Sequence, residues 1–529
     1  MGAFVALAAC GGTTKTGTTP EGSGGGTDKK PNGTDLTIDL DVVPLKGLVF
    51  TPEAMGRPPM LLVEEKKKQT LDKDRADYAK APDLETKKLA VNVLATALYQ
   101  ESKKQKDDAK EKALRDEAKK DLNEIRAAAA SAGGANEVSL RMLVVFDMID
   151  QDYAAAADVY QELLKRFPTS DKALDDKAWL ALCYLRLGKN ADALATLSGL
   201  QPDPAHPEAA YVMAWAKWRG GDNAGAVAAI TASAQGWKDG SNKPALVRDL
   251  LILLGRGGAP ADGALKTVQA FYQGKAPVSV LYNLHNAYAY AGRWADAIEV
   301  LENIIKTVPE QIAKNDLPKF RSQQAQYSVR LLAADQVASY EKQAMEAYAA
   351  CGDKCTAQEL DDGYKALRGL AITFHAIYAT SMDERFYGPA KELYELYDAL
   401  PGRADAEEMK KHESDLEAAK KAAKPGTGTH DKSIIGPLLA QQHAQEIQAC
   451  YEAALAADAS VSGMLGLTID FDATGKVAGA TSNPPPGKEG LARVGACASE
   501  AAKGWMLPAR TIPGKTIVNA KFELAPAAK

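Results

Sequence analysis

The sequence predicts a mostly α protein: a solenoid of stacked helical hairpins followed by a small α+β module of order α-β-β-α-β. Three observations predict it. Through the centre of the 529-residue chain, apolar residues recur at helical spacing in units close to 34 residues long. Aromatics make up only 7% of the chain, while Ala recurs in runs such as Ala127–Ala130 and Ala154–Ala157. That bias favours closely packed helices, because Ala costs least in a helix and lets neighbours approach. Near the carboxyl end the period changes to two, as in Leu465, Leu467, Ile469 and Phe471, the mark of a strand with one buried face. Lys plus Arg number 64 against 69 Asp plus Glu, a net charge of −5, so charge gives no case for nucleic acid as a partner. No run of 18 or more apolar residues is present, and no membrane-spanning helix is expected.

Residues 1–10 are a short apolar run ending Leu7-Ala8-Ala9-Cys10, which resembles the tail of an export signal with the lipobox of bacterial lipoproteins. The resemblance implies that Cys10 becomes the first mature residue and carries lipid on its sulfur and its amine. Acyl burial contributes about 0.8 kcal/mol per CH₂, and more than one chain gives stable anchoring. The nine residues before Cys10 have no basic start and are fewer than a complete signal needs, so either an upstream translation start or a trimmed segment is expected. Residues 11–33 are almost all Gly, Thr, Ser, Asp, Lys, Asn and Pro, a tether that spans roughly 25–30 Å on average. Gly22–Gly26 within it follows no strand and meets no closing Lys-Ser/Thr, so it does not read as a phosphate loop. In segment 34–63, Leu36, Ile38, Leu40 and Val42 alternate with polar residues. They predict a strand, either in a local hairpin or extended cover or left unpaired to add to a partner's sheet.

Residues 64–400 carry the repeat. Its clearest unit is Leu281, Leu284, Tyr288, Gly292, Trp294, Ala297, Leu301, Ile304 and Pro309. Leu284 and Tyr288 share one helix face, Gly292 permits the turn, Ala297 lets the second helix come close, and Pro309 stops it. These offsets resemble the tetratricopeptide (TPR) pattern of paired antiparallel helices. Weaker copies are Leu143–Pro168, Leu180–Leu197, Met213–Ile230 and a degenerate stretch around Gly258, Ala264 and Val268. Aligned at Tyr153, Asn190, Asn223, Ala261 and Trp294, they stand 37, 33, 38 and 33 residues apart. Leu367, Leu370, Ala371 and Phe374 with Tyr387, Ala390 and Tyr394 read as one more pair with a long insertion between its helices. Residues 84–130 read as a divergent first pair. The charged stretches Glu64–Lys68 and Glu101–Arg126 read as solvated helix faces with i,i+4 pairs rather than binding sites.

Residues 401–432 shift to a charged helix and a linker, Lys424-Pro-Gly-Thr-Gly-Thr429, and a further domain is expected at 433–529. Its predicted elements are a helix at 437–456, strands at 461–472 and 476–482 joined by the turn Asp472–Gly475, a helix at 488–504 and a strand at 515–524. With Cys10 set aside for lipid, five of the six Cys remain, which partition naturally into two pairs and one leftover. Cys351 and Cys355 flank a turn and suit a small loop-closing disulfide. Cys450 with Cys497 would brace the small sheet domain, a closure worth about 4 kcal/mol in the chain-entropy model. Cys183 lies among apolar helix positions and reads as a buried free thiol.

Ile447-Gln-Ala-Cys450-Tyr451-Glu452, Gly463, Asp472-Ala-Thr-Gly475-Lys-Val477, Cys497 and Trp505-Met-Leu-Pro508 together resemble the TonB-like carboxyl-terminal domain of the AgmX/PglI type. Leu507 replaces that family's usual aromatic before the proline. The resemblance covers about 90 residues. It implies a periplasmic location and docking of protein partners in gliding-motility or other envelope machines, with TonB-like domains adding a partner strand at a sheet edge.

No catalytic residue and no metal site stands out. The six His form no pair at metal-binding spacing, and His375 is the one candidate near Cys351 and Cys355, too few for zinc. His285 and His375 read as packed helix residues. There is no nucleophile elbow and no phosphate loop, so neither a cofactor nor a small-molecule substrate is expected. The expectation is a non-enzymatic, lipid-anchored scaffold on the periplasmic side of the outer membrane. It would bind other envelope proteins through the concave TPR surface and the terminal domain. It resembles the gliding-motility lipoproteins of myxobacteria, and Gly11 rather than Asp after Cys10 implies outer-membrane sorting. The alternative is a TPR lipoprotein that assembles outer-membrane proteins.

Overall fold

The computed structural model describes residues 35–63, 70–130, 134–237, 244–401, 403, 405–424 and 426–527. Cys10, the tether 11–33 and the charged run Glu64–Lys68 lie outside the described residues. Contacts divide the described chain into two compact units, and the division does not fall at residue 433. One unit holds Leu48–Ala287 with Leu455–Ala459, and the other holds the described parts of Met1–Gly47, Tyr288–Ala454 and Ser460–Lys529.

The Leu48–Ala287 unit is built from helices. A lead helix α1 (Leu71–Lys80) precedes the pairs α2 (Leu84–Ser102) and α3 (Asp108–Ala129), α4 (Glu137–Ile149) and α5 (Tyr153–Arg166), α6 (Ala173–Arg186) and α7 (Asn190–Thr196), α8 (Pro207–Arg219) and α9 (Asn223–Gly236), then α10 (Pro244–Arg256) and α11 (Ala261–Phe271). Side-chain caps start many of them: Asp83, Asp107, Asn136, Asp152 and Asp222 each accept a first-turn N–H at 2.7–3.1 Å. The five residues used to align the repeats are the first residues of α5, α7, α9, α11 and a later helix, α13 (Trp294–Thr307). Three positions on, each has an Ala with no exposed surface: Ala156, Ala193, Ala226, Ala264 and Ala297. A larger side chain there would push the paired helix away, so close approach selects Ala.

The charged stretch 101–126 differs from its expected solvated helix. It spans the end of α2, a turn and α3, and several of its charges bridge to the next pair. Arg115 meets Asp150 at 3.0 Å, Lys119 meets Asp147 at 2.8 Å, and Arg126 meets Glu162 at 2.6 Å. Asp147 is buried, and desolvation lifts its carboxyl to about 6 despite the Lys119 ammonium.

α12 (Val278–Ala289) carries the chain from this unit into the other. There α13 is followed by α14 (Leu317–Arg330) with α15 (Ala334–Cys351), α16 (Ala357–Ser381) with α17 (Tyr387–Asp398), and α18 (Ala406–Ala422). The pair α14–α15 has no counterpart in the sequence reading, because Leu332, not Gly, takes the left-handed turn position at φ 52°. The long insertion expected between 374 and 387 is absent. α16 instead continues to Ser381, opened by a Thr356–Glu359 capping box and closed by Met382 in the left-handed conformation.

The chain then forms α19 (Lys432–Ala457), β2 (Gly463–Phe471), β3 (Val477–Asn483), α20 (Glu489–Ala502) and β4 (Thr516–Pro526). α19 begins five residues before the expected start at Pro437, since Asp431 accepts the Ser433 N–H at 2.7 Å and the proline sits inside the helix. The expected linker is tied down: Thr429 N–H donates to Thr380 O at 2.9 Å and Gly428 N–H to Thr511 Oγ1 at 2.7 Å.

The sheet is mixed, with order β1-β4-β2-β3. Its first strand corrects the reading of segment 34–63. β1 (Leu36–Gly47) forms neither a local hairpin nor an unpaired strand; it pairs in parallel with β4, from Leu36 opposite Thr516 to Gly47 opposite Pro526. β4 is antiparallel to β2 on its other side, and pairing with β1 satisfies the edge groups it would otherwise expose. Ile38 and Leu45 are the buried residues that join the sheet's core side chains Leu465, Leu467, Ile469, Phe471, Val518 and Phe522.

Candidate functional site

The motif residues of the terminal module turn inward. Tyr451 is fully buried and donates its hydroxyl to Val461 O at 2.7 Å. Glu452 is buried and accepts from Gln448 at 3.0 Å. Gly475 adopts φ +83°, and a Cβ there would lie 2.0 Å from Leu507 O, so the turn needs glycine on both counts. Leu507 itself is buried, and Pro508 O accepts from His430 Nε2 at 2.7 Å. These residues build the module from within.

Trp505 packs on α19, the helix that meets the earlier helices of this unit. Its indole stacks on His443 with centroids 4.0 Å apart and donates to Glu446 Oε2 at 2.6 Å. Glu446 Oε1 meets His443 Nδ1 at 3.1 Å. One turn earlier on α19, Gln442 O accepts from Trp294 Nε1 at 3.1 Å, and Gln442 Nε2 donates to Val329 O at 3.1 Å. A Cβ on Gly292 would lie 2.2 Å from Glu446 Cγ and 3.0 Å from its Cα, so this turn glycine also admits α19. Burial pushes the His443 imidazole below its ordinary range, with Glu446 opposing.

Both expected disulfides are present, Cys351–Cys355 and Cys450–Cys497, and Cys183 is free and buried. Desolvation pushes the Cys183 thiol up to about 12, which leaves it a packing residue. Cys450–Cys497 closes a sequence separation of 47. Its Ser/Ser variant is expected to lose about 2–4 kcal/mol of stability, read as a lower urea midpoint, with a smaller loss for the Cys351–Cys355 pair.

The other named repeat residues also pack inside: Leu281, Leu284, Tyr288 and Leu301 have no exposed surface, Trp294 is buried, and Gly292 takes φ +73°. Pro309 lies just beyond the end of α13 at Thr307. None of these side chains offers an outward binding group.

The side chains that hold residues 48–63 were not legible in the repeat pattern. Within the Leu48–Ala287 unit, the first helices of successive pairs form a continuous face: α2 packs on α4, Arg141 of α4 pairs with Asp176 of α6 at 2.6 Å, and α8 touches both α6 and α10. Residues 48–63, extended and without regular structure, lie on this face. Phe50 O accepts from Arg219 Nη2 at 2.8 Å, Glu53 N–H donates to Asp249 Oδ2 at 3.0 Å, and Ala54 N–H donates to the Tyr211 hydroxyl at 3.1 Å. The Tyr211 hydroxyl in turn donates to Asp249, and Arg248 pairs with the Glu53 carboxylate. The Phe50 ring meets the edge of Trp218 at 6.3 Å and lies under the Arg256 guanidinium at 4.8 Å. At the far end, Val63 N–H donates to Thr96 at 3.2 Å and Arg57 to the Tyr99 hydroxyl at 3.4 Å.

The groups that hold this strap are deeply buried: Tyr211 and Asp249 have no exposed surface and Arg219 has 8%. Burial raises the Asp249 carboxyl, against the bonds it accepts from Tyr211 and Glu53, and lowers the Arg219 guanidinium to about 10. A charge on the apolar α10 (Leu246, Leu250, Leu251, Leu253, Leu254) was the available signal for this site.

In the other unit the open surfaces include the outer edge of β3, which pairs only with β2, and a cleft of about 610 Å³ between the other edge strand, β1, and α19, lined by Leu40, Val42, Val43, Gly436, Pro437 and Ala440. Among the described residues no group of three or more His, Cys, Asp or Glu is placed to hold a metal ion, and no helix is long and apolar enough to cross a membrane. His285 is packed with no exposed surface, its imidazole lowered to about 4 by burial, and His375 Nδ1 meets the Tyr394 hydroxyl at 3.1 Å.

The tetratricopeptide repeat family matches residues 140–170, which span α4, its turn at Gln151, α5 and Pro168. The chain is thus a TPR-containing protein, in a repeat class that serves protein–protein contact. Among solved structures, yeast Tom70 is 15% identical over 68% of this chain and 88% of that one, with a TM-score of 0.17. A circular tandem repeat protein with a novel repeat topology is 12% identical over 82% of this chain and 88% of that one, with a TM-score of 0.15. Scores this low define no shared arrangement, so the repeat assignment rests on the family match and on the packing of the helices themselves. No curated relative matches the chain.

Proposed function

We propose that the chain is a non-enzymatic scaffold that binds other proteins of the cell envelope, anchored by lipid at Cys10 and facing the periplasm from the outer membrane. The observation that carries the binding role is the first-helix face of α2, α8 and α10, whose buried polar groups hold an extended polypeptide by its backbone. The free β3 edge suits a second contact by strand addition. The lipobox-like Leu7–Cys10 supports the anchor, and the TonB-like motif with the TPR helices supports an envelope machine of the gliding-motility kind. An assembly factor for outer-membrane proteins is the alternative.

Crosslinked capture from envelope fractions by the full chain tests the reading. Motility or transport components support it, barrel-assembly components favour the alternative, and turnover of a substrate by the purified chain overturns it. Placing Lys at the exposed edge positions Ala478 and Thr481 is expected to reduce capture through the sheet at least fivefold with stability unchanged, because edge charges block strand addition. Mass spectrometry of the mature amino terminus checks the anchor. An unmodified Cys10 sinks it.

A further inference from the structure

Residues 48–63 occupy a face of the repeat unit that has the chemistry to hold a polypeptide backbone. Three of its anchoring groups, Tyr211, Asp249 and Arg219, are buried, and what they reach on the strap is mostly backbone: two N–H groups and one carbonyl. Bonds to backbone recognise any extended segment, while the side-chain contacts set a pattern. The Phe50 ring fills the space between Trp218 and Arg256, Pro52 is buried, and the Glu53 carboxylate pairs with Arg248. The exposed apolar side chains of the strap lie at its ends. Of the ten large apolar side chains exposed among the described residues, four are Leu48, Val49, Leu61 and Leu62, at 42–52% exposure. A segment kept only for its packing would bury them. Hydrogen bonds and an ion pair from the face cluster on residues 50–54, with others at Arg57 and Val63.

We propose that residues 48–63 are a built-in pseudo-ligand that blocks the first-helix face, and that the partner displacing it is an extended segment of another protein with an aromatic residue, a proline two positions later and an acidic residue directly after the proline. The proposal rests on the protein-binding reading above and names the recognition chemistry and its regulation. Because strap and face belong to one chain, the strap is present at high effective concentration, and a free peptide of equal contacts competes at a disadvantage. Partner binding is therefore gated: it requires either a tighter segment or an event that pulls the strap away.

The test compares the full chain with a variant in which residues 48–63 are replaced by an equal length of Gly and Ser. A fluorescently labelled synthetic peptide of residues 48–63 is the probe, read by anisotropy. The peptide is expected to bind the variant at least tenfold more tightly than the intact chain, and peptides carrying Phe50→Ala or Glu53→Lys are expected to bind it at least fivefold more weakly than the parent. No binding to the folded variant, or equal binding to both chains, overturns the proposal. If the variant does not fold, hydrogen exchange on the intact chain decides. Exchange of the Glu53 and Ala54 amides through local opening, faster than the core of α8 and accelerated by excess peptide, supports a displaceable strap. Exchange only at the rate of the α8 core overturns it. Failure here leaves capture through the β3 edge untouched, whereas failure of the binding reading itself shows as no envelope protein retained by either chain.

Discussion

Substituting Glu341 with Gln is expected to flatten the stability of the chain between pH 5 and pH 9 and to raise its melting temperature at the alkaline end. Glu341 lies on α15 with no exposed surface, and neither carboxylate oxygen has a hydrogen-bond partner among the described residues. Desolvation lifts its carboxyl from 4.5 to about 8. The folded state therefore keeps the proton between those two values while the unfolded chain releases it. Stability is fully present below about pH 4.5, falls by roughly 1.4 kcal/mol per pH unit as pH rises through the window, and levels off above about pH 8. Gln cannot ionise, so E341Q matches the parent near pH 5 and exceeds it by a few kcal/mol at pH 9. Glu341→Met, which also removes the unsatisfied polar atoms, is expected to be more stable at every pH. Urea midpoints of the three chains at pH 5, 7 and 9 provide the check. A parent midpoint that does not fall with pH would show that the carboxyl is solvated or paired.

Truncating Trp505 to Ala is expected to cost about 3–5 kcal/mol, the range for emptying a buried aromatic site. The loss combines the cavity, the ring stack on His443 and the indole bond to Glu446, whose carboxylate then keeps only His443 on that side. Trp505→Phe separates these contributions. It retains most of the ring contact and loses the charge-assisted bond, an expected cost of about 1.5–3 kcal/mol. Because α19 links Trp505 to Gln442 and hence to Trp294, the W505A chain is also expected to expose Trp294, visible as a red shift in fluorescence. If W505A unfolds like the parent, the packing of Trp505 on α19 adds nothing to the stability of the terminal module.

The helices were legible wherever small residues repeat. Ala156, Ala193, Ala226, Ala264 and Ala297 are spaced by the requirement that one helix closely approach its partner, and that requirement is local. Where the α14–α15 turn uses Leu332 in place of Gly, the punctuation is lost and that pair had no sequence counterpart, whereas the pairs turning at Gln151 and Met382 were still read from their apolar spacing. The strap was illegible for a different reason. Its backbone bonds leave no side-chain pattern, and the residues that receive them, Arg219, Tyr211 and Asp249, carry meaning only once α8 and α10 lie side by side. β1 shows the same limit: its alternation announced a strand but not the partner 480 residues away.

The sequence by itself determined most of the helical hairpins and the strands of the terminal sheet, and suggested the two disulfide pairs, because these depend on periodicity, turn chemistry and the count of cysteines. Only the tertiary structure decided which edge β1 covers, that the motif residues of the terminal module face inward, and that residues 48–63 lie on the first-helix face of α2, α8 and α10. Those outcomes depend on which buried donors and acceptors find partners, and the candidates lie hundreds of residues apart in the chain, beyond the reach of any local pattern.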